Sequence, residues 1–212
     1  MDDKTVYSLF STGHEYFDKG QFDKALDNFE RSLEISEEIG EKPLIARNCN
    51  RIGAVHSDKG NYNKAEQYIK KSLRVHKELG EGVHASLTTA HLYLCYKYLS
   101  KEYDKSELSN FIKNFNIDDI PDRDNFILYE LLENKSCLKV VYNQIQEKAD
   151  AMEDELKEKF LDYPTPKKII EEYNKVMHWS PTFVGFFVCG MMVQLPLQIH
   201  WSIISYRVDS AC

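Results

Sequence analysis

The sequence predicts an all-α fold in which pairs of helices stack side by side as a solenoid. The first observation is that a stretch near the N-terminus recurs at a spacing of 40 residues, the period of stacked helix pairs. The second is that apolar residues within each copy fall at helical intervals. Glycine and proline are also scarce, with 9 and 6 in 212 residues, which favours helix along the chain.

The repeat is seen most clearly in two short segments. FDKGQFDKAL (residues 17–26) is followed at an offset of 40 by SDKGNYNKAE (residues 57–66). A third and more diverged copy, KEYDKSELSNF (residues 101–111), follows at an offset of 41 and lacks both glycines. The structural repeat positions are Gly13, Gly20, Ala25, Gly53, Gly60 and Ala65. We predict repeats over about 5–42, 43–82 and 83–115.

Each repeat is predicted to consist of two helices joined at a glycine. Gly20 and Gly60 lie at this junction, where a residue without a Cβ can take the left-handed conformation that ends a helix. Gly13 and Gly53 lie inside the first helices, where glycine costs about 1 kcal/mol relative to alanine. We therefore expect a close contact between helices at both positions, with Ala25 and Ala65 facing them.

Further helices are predicted after the repeats. Asp122, which follows a proline, is the expected N-cap of the next helix. Apolar residues from Leu138 to Phe160 continue at spacings of three and four and predict one long amphipathic helix. Thr165 is expected to cap a last short helix that starts at Pro166. The apolar stripe of the long helix favours a cap on the solenoid, and a coiled-coil dimer seam is the alternative.

The end of the chain differs sharply in composition from the rest. Of 27 basic and 34 acidic residues, only Arg207 and Asp209 lie in the last 34 positions. Trp179 and Trp201 are 22 residues apart, which as helix is about 33 Å, close to the ~30 Å hydrocarbon thickness of a bilayer. Polar residues and a proline interrupt this segment. Three hypotheses stay open: a membrane segment, an apolar cap packed on the body, and an aberrant end.

The sequence thus predicts three regions. Residues 1–120 hold the repeats, residues 121–178 a further helical pair with a capping helix, and residues 179–212 the apolar tail. A net charge of −7 argues against a nucleic-acid partner, which would require phosphate neutralisation. Five dispersed cysteines without a C-x-x-C pair fit a reducing compartment. With no signal peptide at the N-terminus, we expect a cytoplasmic protein, membrane-associated if the tail is an anchor.

No pattern in the chain indicates catalysis. The seven histidines form no H-E-x-x-H motif, and the sequence has no G-x-S-x-G, phosphate-binding glycine loop or paired-cysteine zinc spacing. The many carboxylates alternate with lysines, as solvated helix faces do. We therefore expect no enzyme, no catalytic residue, no metal and no cofactor.

The repeat resembles the tetratricopeptide repeat, and its greater length is similar to the branch of about 40 residues found in kinesin light chains and bacterial peptide-responsive regulators. The matching positions are the small residues Gly13 and Gly53 of the first helices, and Phe22, Tyr62, Ala25 and Ala65 of the second helices. Over about residues 5–115, the resemblance implies a right-handed solenoid of helix–turn–helix units. It also implies that the first helices build a concave face that holds a peptide.

Carried over residue by residue, the resemblance defines a candidate groove. Its predicted residues are Tyr7, Phe10, His14, Phe17, Arg47, Asn50, Arg51, Ser57, Thr88, His91, Cys95 and Tyr98. Aromatic side chains beside asparagine and arginine suit an extended or helical peptide with acidic groups. The alternative interpretation is that Tyr7, Phe10 and Phe17 pack between helices.

The function expected from this groove is non-catalytic binding of a protein or peptide, as a scaffold or regulatory adaptor. Two alternatives from other classes stay open. The chain could be the sensor half of a signalling system that works with a separate effector, or an adaptor anchored to a membrane by its tail.

Overall fold

The computed structural model describes residues 3–178, and this range is helical. Its helices are α1 (Asp3–Asp18), α2 (Phe22–Ile39), α3 (Lys42–Asp58), α4 (Tyr62–Glu78), α5 (Gly82–Tyr98), α6 (Lys105–Asn114), α7 (Asp122–Leu132), α8 (Lys135–Asp150), α9 (Asp154–Leu161) and α10 (Pro164–His178). A 3-10 turn (Ile117–Asp119) lies between α6 and α7. The all-α prediction is confirmed, and the predicted tail lies outside the described residues.

The chain divides into two compact units, residues 1–169 and 170–212. The described part of the second unit is the remainder of α10, and everything below concerns the first. There, α1 to α5 pack consecutively, each helix on the next, as expected for stacked helix pairs. The pattern changes at α7, which packs on α8 and on α5 more closely than on α6.

Left-handed residues make the turns between the helices. Gly20 and Gly60 have φ of 71° and 75°, which confirms that each ends the first helix of its repeat. In the third repeat the corresponding turn contains Ser100, with φ 55°. The diverged repeat therefore keeps its turn without the glycine, at a steric cost that glycine would avoid.

The glycines inside the first helices are sites of close helix contact, as predicted. A Cβ on Gly13 would lie 2.7 Å from a ring carbon of Phe29, on α2. A Cβ on Gly53 would lie 2.5 Å from Ile69 and 3.3 Å from the backbone oxygen of Ala65, both on α4. The aromatic and aliphatic side chains of the second helices thus fill the space that the missing Cβ leaves open.

The prediction of one long helix through Phe160 is wrong. The chain leaves helix after Asp150, and Glu153 is extended with φ −66° and ψ 152° before α9 begins. The apolar period continues across this break, so spacing alone does not reveal it. Leu156, on the predicted stripe, is 56% exposed.

Two smaller predictions of helix starts also need correction. Asp122 is the first residue of α7 and Pro121 precedes it, so Asp122 is not the cap. Helix α10 begins at Pro164, which places Thr165 and Pro166 inside its first turn. Helix α10 starts two residues earlier than expected because the fixed φ of Pro164 suits the first position of a helix. Pro121, in contrast, lies just outside α7, with an extended ψ of 148°.

Candidate functional site

A pocket of about 420 Å³ opens on the side of the molecule formed by α1, α3 and α5, here called the inner face. One wall consists of seven predicted groove residues: Phe10, His14, Arg47, Asn50, Arg51, Thr88 and His91. The opposite wall comes from the connection between α6 and α7 and from the first turn of α7, and it includes Phe115, Asp119, Ile120, Pro121 and Asp124. Its volume falls in the range of ligand sites. We refer to it as the inner-face pocket.

Two other predicted groove residues line a second pocket of about 290 Å³, near the C-terminal ends of α3 and α5. These are Ser57 and Tyr98. The ring of Tyr98 stacks on that of Tyr62, with centroids 4.6 Å apart and 6° between the planes. Tyr98 is 47% exposed, so the stacked pair keeps an accessible aromatic surface. We call this the tyrosine pocket.

The structure does not bring the remaining three predicted residues to either pocket. The Tyr7 side chain is exposed and its hydroxyl lies 3.4 Å from a carboxylate oxygen of Glu41. Phe17 is buried in the core between α1, α2 and α3, as the alternative interpretation held for this residue. Cys95 is fully buried against α4, and burial raises the pKa of its thiol to about 11.

Arg51 is the most distinctive group of the inner-face pocket. Among residues 3–178 its guanidinium has neither a hydrogen bond nor an ion pair at contact distance. Burial lowers its pKa, and the charges of Asp124 and Asp18 oppose that shift. A half-buried arginine without a direct partner leaves planar, charged donors facing a cavity, and carboxylates fit those donors well.

His14, beside Arg51, stays uncharged at neutral pH. Burial and the nearby charge of Arg51 lower its pKa to about 3. Its ring makes edge contacts with Phe10 at 4.9 Å and with Phe29 at 5.6 Å between centroids. His14 therefore adds to the apolar part of the pocket rather than to its charge.

Two side-chain contacts join the inner face to the first turn of α7. Asp124 Oδ1 lies 2.7 Å from Nε2 of His91 on α5. Arg123 donates two hydrogen bonds to Asp58 on α3, at 2.7 and 3.0 Å. Although burial raises the pKa of Asp124, the bond from His91 and the positive charges around it lower that pKa overall. Asp124 is therefore a buried carboxylate that is ionised at neutral pH.

The wall contributed by α7 and its preceding connection was missed by the sequence analysis. Its residues lie just beyond the third repeat, where no period extends. Pro121 marked a helix boundary, but nothing in the sequence indicated that the chain would turn back onto the inner face. Residues of the helices that follow hold this connection in place. The side-chain amides of Asn125 on α7 and Gln144 on α8 both donate a hydrogen bond to the backbone oxygen of Ile120.

Other kinds of site are absent from the part of the chain that the structure describes. No group of three histidine, cysteine, aspartate or glutamate side chains there is arranged to hold a metal ion. No helix among residues 3–178 is long and apolar enough to cross a membrane. The predicted membrane segment falls on residues 179–206, outside that range.

Comparison with known proteins identifies the kind of repeat. Residues 13–78 match the family model described as tetratricopeptide repeat. Residues 13–78 therefore form tetratricopeptide repeats, as the sequence predicts, and such repeats generally mediate protein–protein interactions. The assignment to the longer branch of about 40 residues stays a prediction. The comparison with curated proteins yields no match.

Proposed function

We propose that this chain is a non-catalytic binding module, acting as a scaffold or adaptor, whose inner-face pocket holds an acidic segment of a partner protein. The observation that carries the proposal is Arg51, which is half-buried, faces the pocket and has no direct partner among the described residues. Leaving such a group unpaired is costly, and a ligand carboxylate would supply the missing partner. Arg47, exposed at the rim of the same pocket, adds a second positive charge.

Apolar contacts would hold the rest of the ligand. Phe10, Leu87 and Phe115 are half-buried side chains of the pocket lining, and Val83 is 40% exposed at its edge. These groups come from three different elements and surround the charged centre. A ligand with an acidic residue next to apolar ones matches this arrangement of polar and apolar groups.

The proposal can be tested with synthetic peptides. Peptides selected from a random library by the full chain would be titrated against the wild type and Arg51→Gln. We expect the selected peptides to be acidic. We also expect Arg51→Gln to lower their affinity about tenfold, the effect of losing one charged hydrogen-bonding partner. Arg31→Gln is the matched control, because Arg31 is an exposed arginine of α2 that pairs with Asp27. Equal affinities for the wild type and Arg51→Gln would refute the proposal.

A further inference from the structure

The inner face carries a third cavity between the two pockets already described. It measures about 200 Å³ and is lined by Phe17 and Asp18 on one side and by the first turn of α7 on the other. It shares Arg51 and Asp124 with the inner-face pocket. It shares Arg123 with the tyrosine pocket. The three cavities therefore form a series along the inner face, and we call this one the middle cavity.

The side chain of Arg123 separates the middle cavity from the tyrosine pocket, and we call it the partition. Its guanidinium holds both carboxylate oxygens of Asp58 and lies 4.9 Å from the ring centroid of Phe17. The Arg123 side chain is 14% exposed, and its Nε is buried without a hydrogen-bond partner. The side chain thus fills the space through which a bound chain would have to continue.

The contact that holds this partition closed is one that a ligand could replace. Asp58 keeps 28% of its side-chain surface exposed, so water already competes for its carboxylate. The pair is bidentate and mostly buried, so breaking it would leave a buried charge, whereas exchanging Asp58 for another carboxylate keeps the charge of Arg123 paired. A ligand carboxylate arriving from the middle cavity would offer Arg123 the same planar, two-oxygen partner that Asp58 provides.

The space beyond the partition suits a continuing peptide. The tyrosine pocket presents the stacked rings of Tyr62 and Tyr98. Besides Asp58 and Arg123, its charged groups are Glu130 and Lys168. Those two charges pair with each other at 3.0 Å. Aromatic surface with neutralised charge at the edge fits an apolar or aromatic side chain of the ligand.

We propose that Arg123 sets the length of peptide that the inner face accepts, closing the passage from the middle cavity to the tyrosine pocket while bound to Asp58 and opening it when a ligand carboxylate takes the place of Asp58. This inference rests on the proposed function, since it concerns the same ligand site. It defines the preferred long ligand as an extended peptide with two acidic positions. The first meets Arg51 and the second meets Arg123, and an aromatic or apolar residue follows.

The test compares short and long peptides on the full chain. Random synthetic libraries of about six and about twelve residues would be used, because an extended chain advances about 3.3 Å per residue and only the longer peptides would pass Arg123. In Asp58→Asn, Arg123 loses its internal partner, so a ligand no longer competes with Asp58. We expect long acidic peptides to bind this variant about fivefold to tenfold more tightly than the wild type, and short peptides to bind both equally.

Two variants keep the result interpretable. Arg123→Gln should remove the preference of long peptides for a second acidic position while leaving short peptides unaffected. Asp27→Asn, which breaks an exposed pair on α2, is the matched control and should change the affinity for neither short nor long peptides. If Asp58→Asn changes the affinities for short and long peptides equally, or changes neither affinity, Arg123 does not set ligand length. If no peptide of either length binds the wild type, the proposed function itself fails, and this inference fails with it.

Discussion

The Nε2 atom of His91 lies 2.7 Å from Oδ1 of Asp124, and this pair joins the third repeat to the helix that crosses its inner face. The two side chains are 3% and 11% exposed. Because a buried carboxylate is stable only with a partner, the pair fixes where α7 begins relative to α5. The shape of the inner-face pocket therefore depends on a contact outside the repeat pattern.

Removing one member of this pair should destabilise the fold. For Asp124→Ala we expect a loss of about 1–3 kcal/mol in the free energy of unfolding, because His91 is left with a buried polar ring nitrogen that has lost its partner. The measurement is urea denaturation followed by circular dichroism. Asp27→Ala is the control, since Asp27 pairs with Arg31 on the exposed surface of α2, and it should cost less than about 1 kcal/mol. Similar losses in both variants would contradict the role assigned to the buried pair.

A Cβ at Gly53 should be harmful although alanine is the better helix former. Gly53→Ala would place that atom 2.5 Å from Ile69, and overpacking of this kind costs about 1–3 kcal/mol. Helix propensity returns about 1 kcal/mol, so we expect a net loss of up to about 2 kcal/mol. Gly82→Ala is the counterpart in the first turn of α5, where a Cβ meets nothing within 4 Å. In chemical denaturation, Gly82→Ala should be at least as stable as the wild type and Gly53→Ala less stable. A Gly53→Ala variant more stable than Gly82→Ala would contradict the packing described.

The turn of the third repeat offers the opposite change. Ser100 holds a left-handed conformation with φ 55°, which glycine adopts without steric cost. We expect Ser100→Gly to raise the free energy of unfolding by about 0.5–1 kcal/mol. Gly60→Ser, at the equivalent turn with φ 75°, should lower it by a similar amount. Thermal denaturation of the two variants gives the answer, and changes of the same sign would count against this account of the turns.

The low pKa of His14 predicts a specific loss of stability in mild acid. In the unfolded chain a histidine binds its proton near pH 6.5, whereas in the folded protein His14 does so only near pH 3. Below pH 6.5 the unfolded state therefore binds more protons than the folded state. As the pH is lowered, this residue alone reduces the free energy of unfolding by up to about 1.4 kcal/mol per pH unit.

This effect can be isolated by comparing the wild type with His14→Leu between pH 7 and pH 5, a range above the ordinary pKa of carboxylates, about 4. The variant should lose less stability over that range, because its side chain binds no proton in either state. Urea titrations at each pH measure the difference. Parallel curves for the two proteins would show that His14 is not held neutral by its surroundings.

The repeats can be predicted from the sequence because each repeat needs the same type of residue at the same position, for the same physical reason. Gly20 and Gly60 recur since both turns need a left-handed residue, and Gly13 and Gly53 recur since both helix pairs need the same close approach. Such local requirements recur at the repeat period, which is why the helix pairs of the repeats could be located from spacing and turn residues alone.

The candidate site was only partly predictable, for a physical reason. The repeats supply Phe10, Arg51 and His91, which the period places on one face. The opposite wall depends on contacts between residues distant in sequence, such as His91 with Asp124 and Gln144 with the backbone oxygen of Ile120. No periodic pattern encodes these pairs. The same holds for Cys95, which lies at a groove position by spacing but packs against α4.

The most direct test of the account is to map where a bound peptide lies. An acidic peptide selected by the full chain would carry a photo-crosslinking group, and mass spectrometry would identify the labelled residues. We expect labels on inner-face residues such as Phe10, Arg47 and Thr88, and their loss in Arg51→Gln. Labels concentrated instead on the outer helices α2 and α4, unchanged in that variant, would contradict the central claim that the inner face is the binding site.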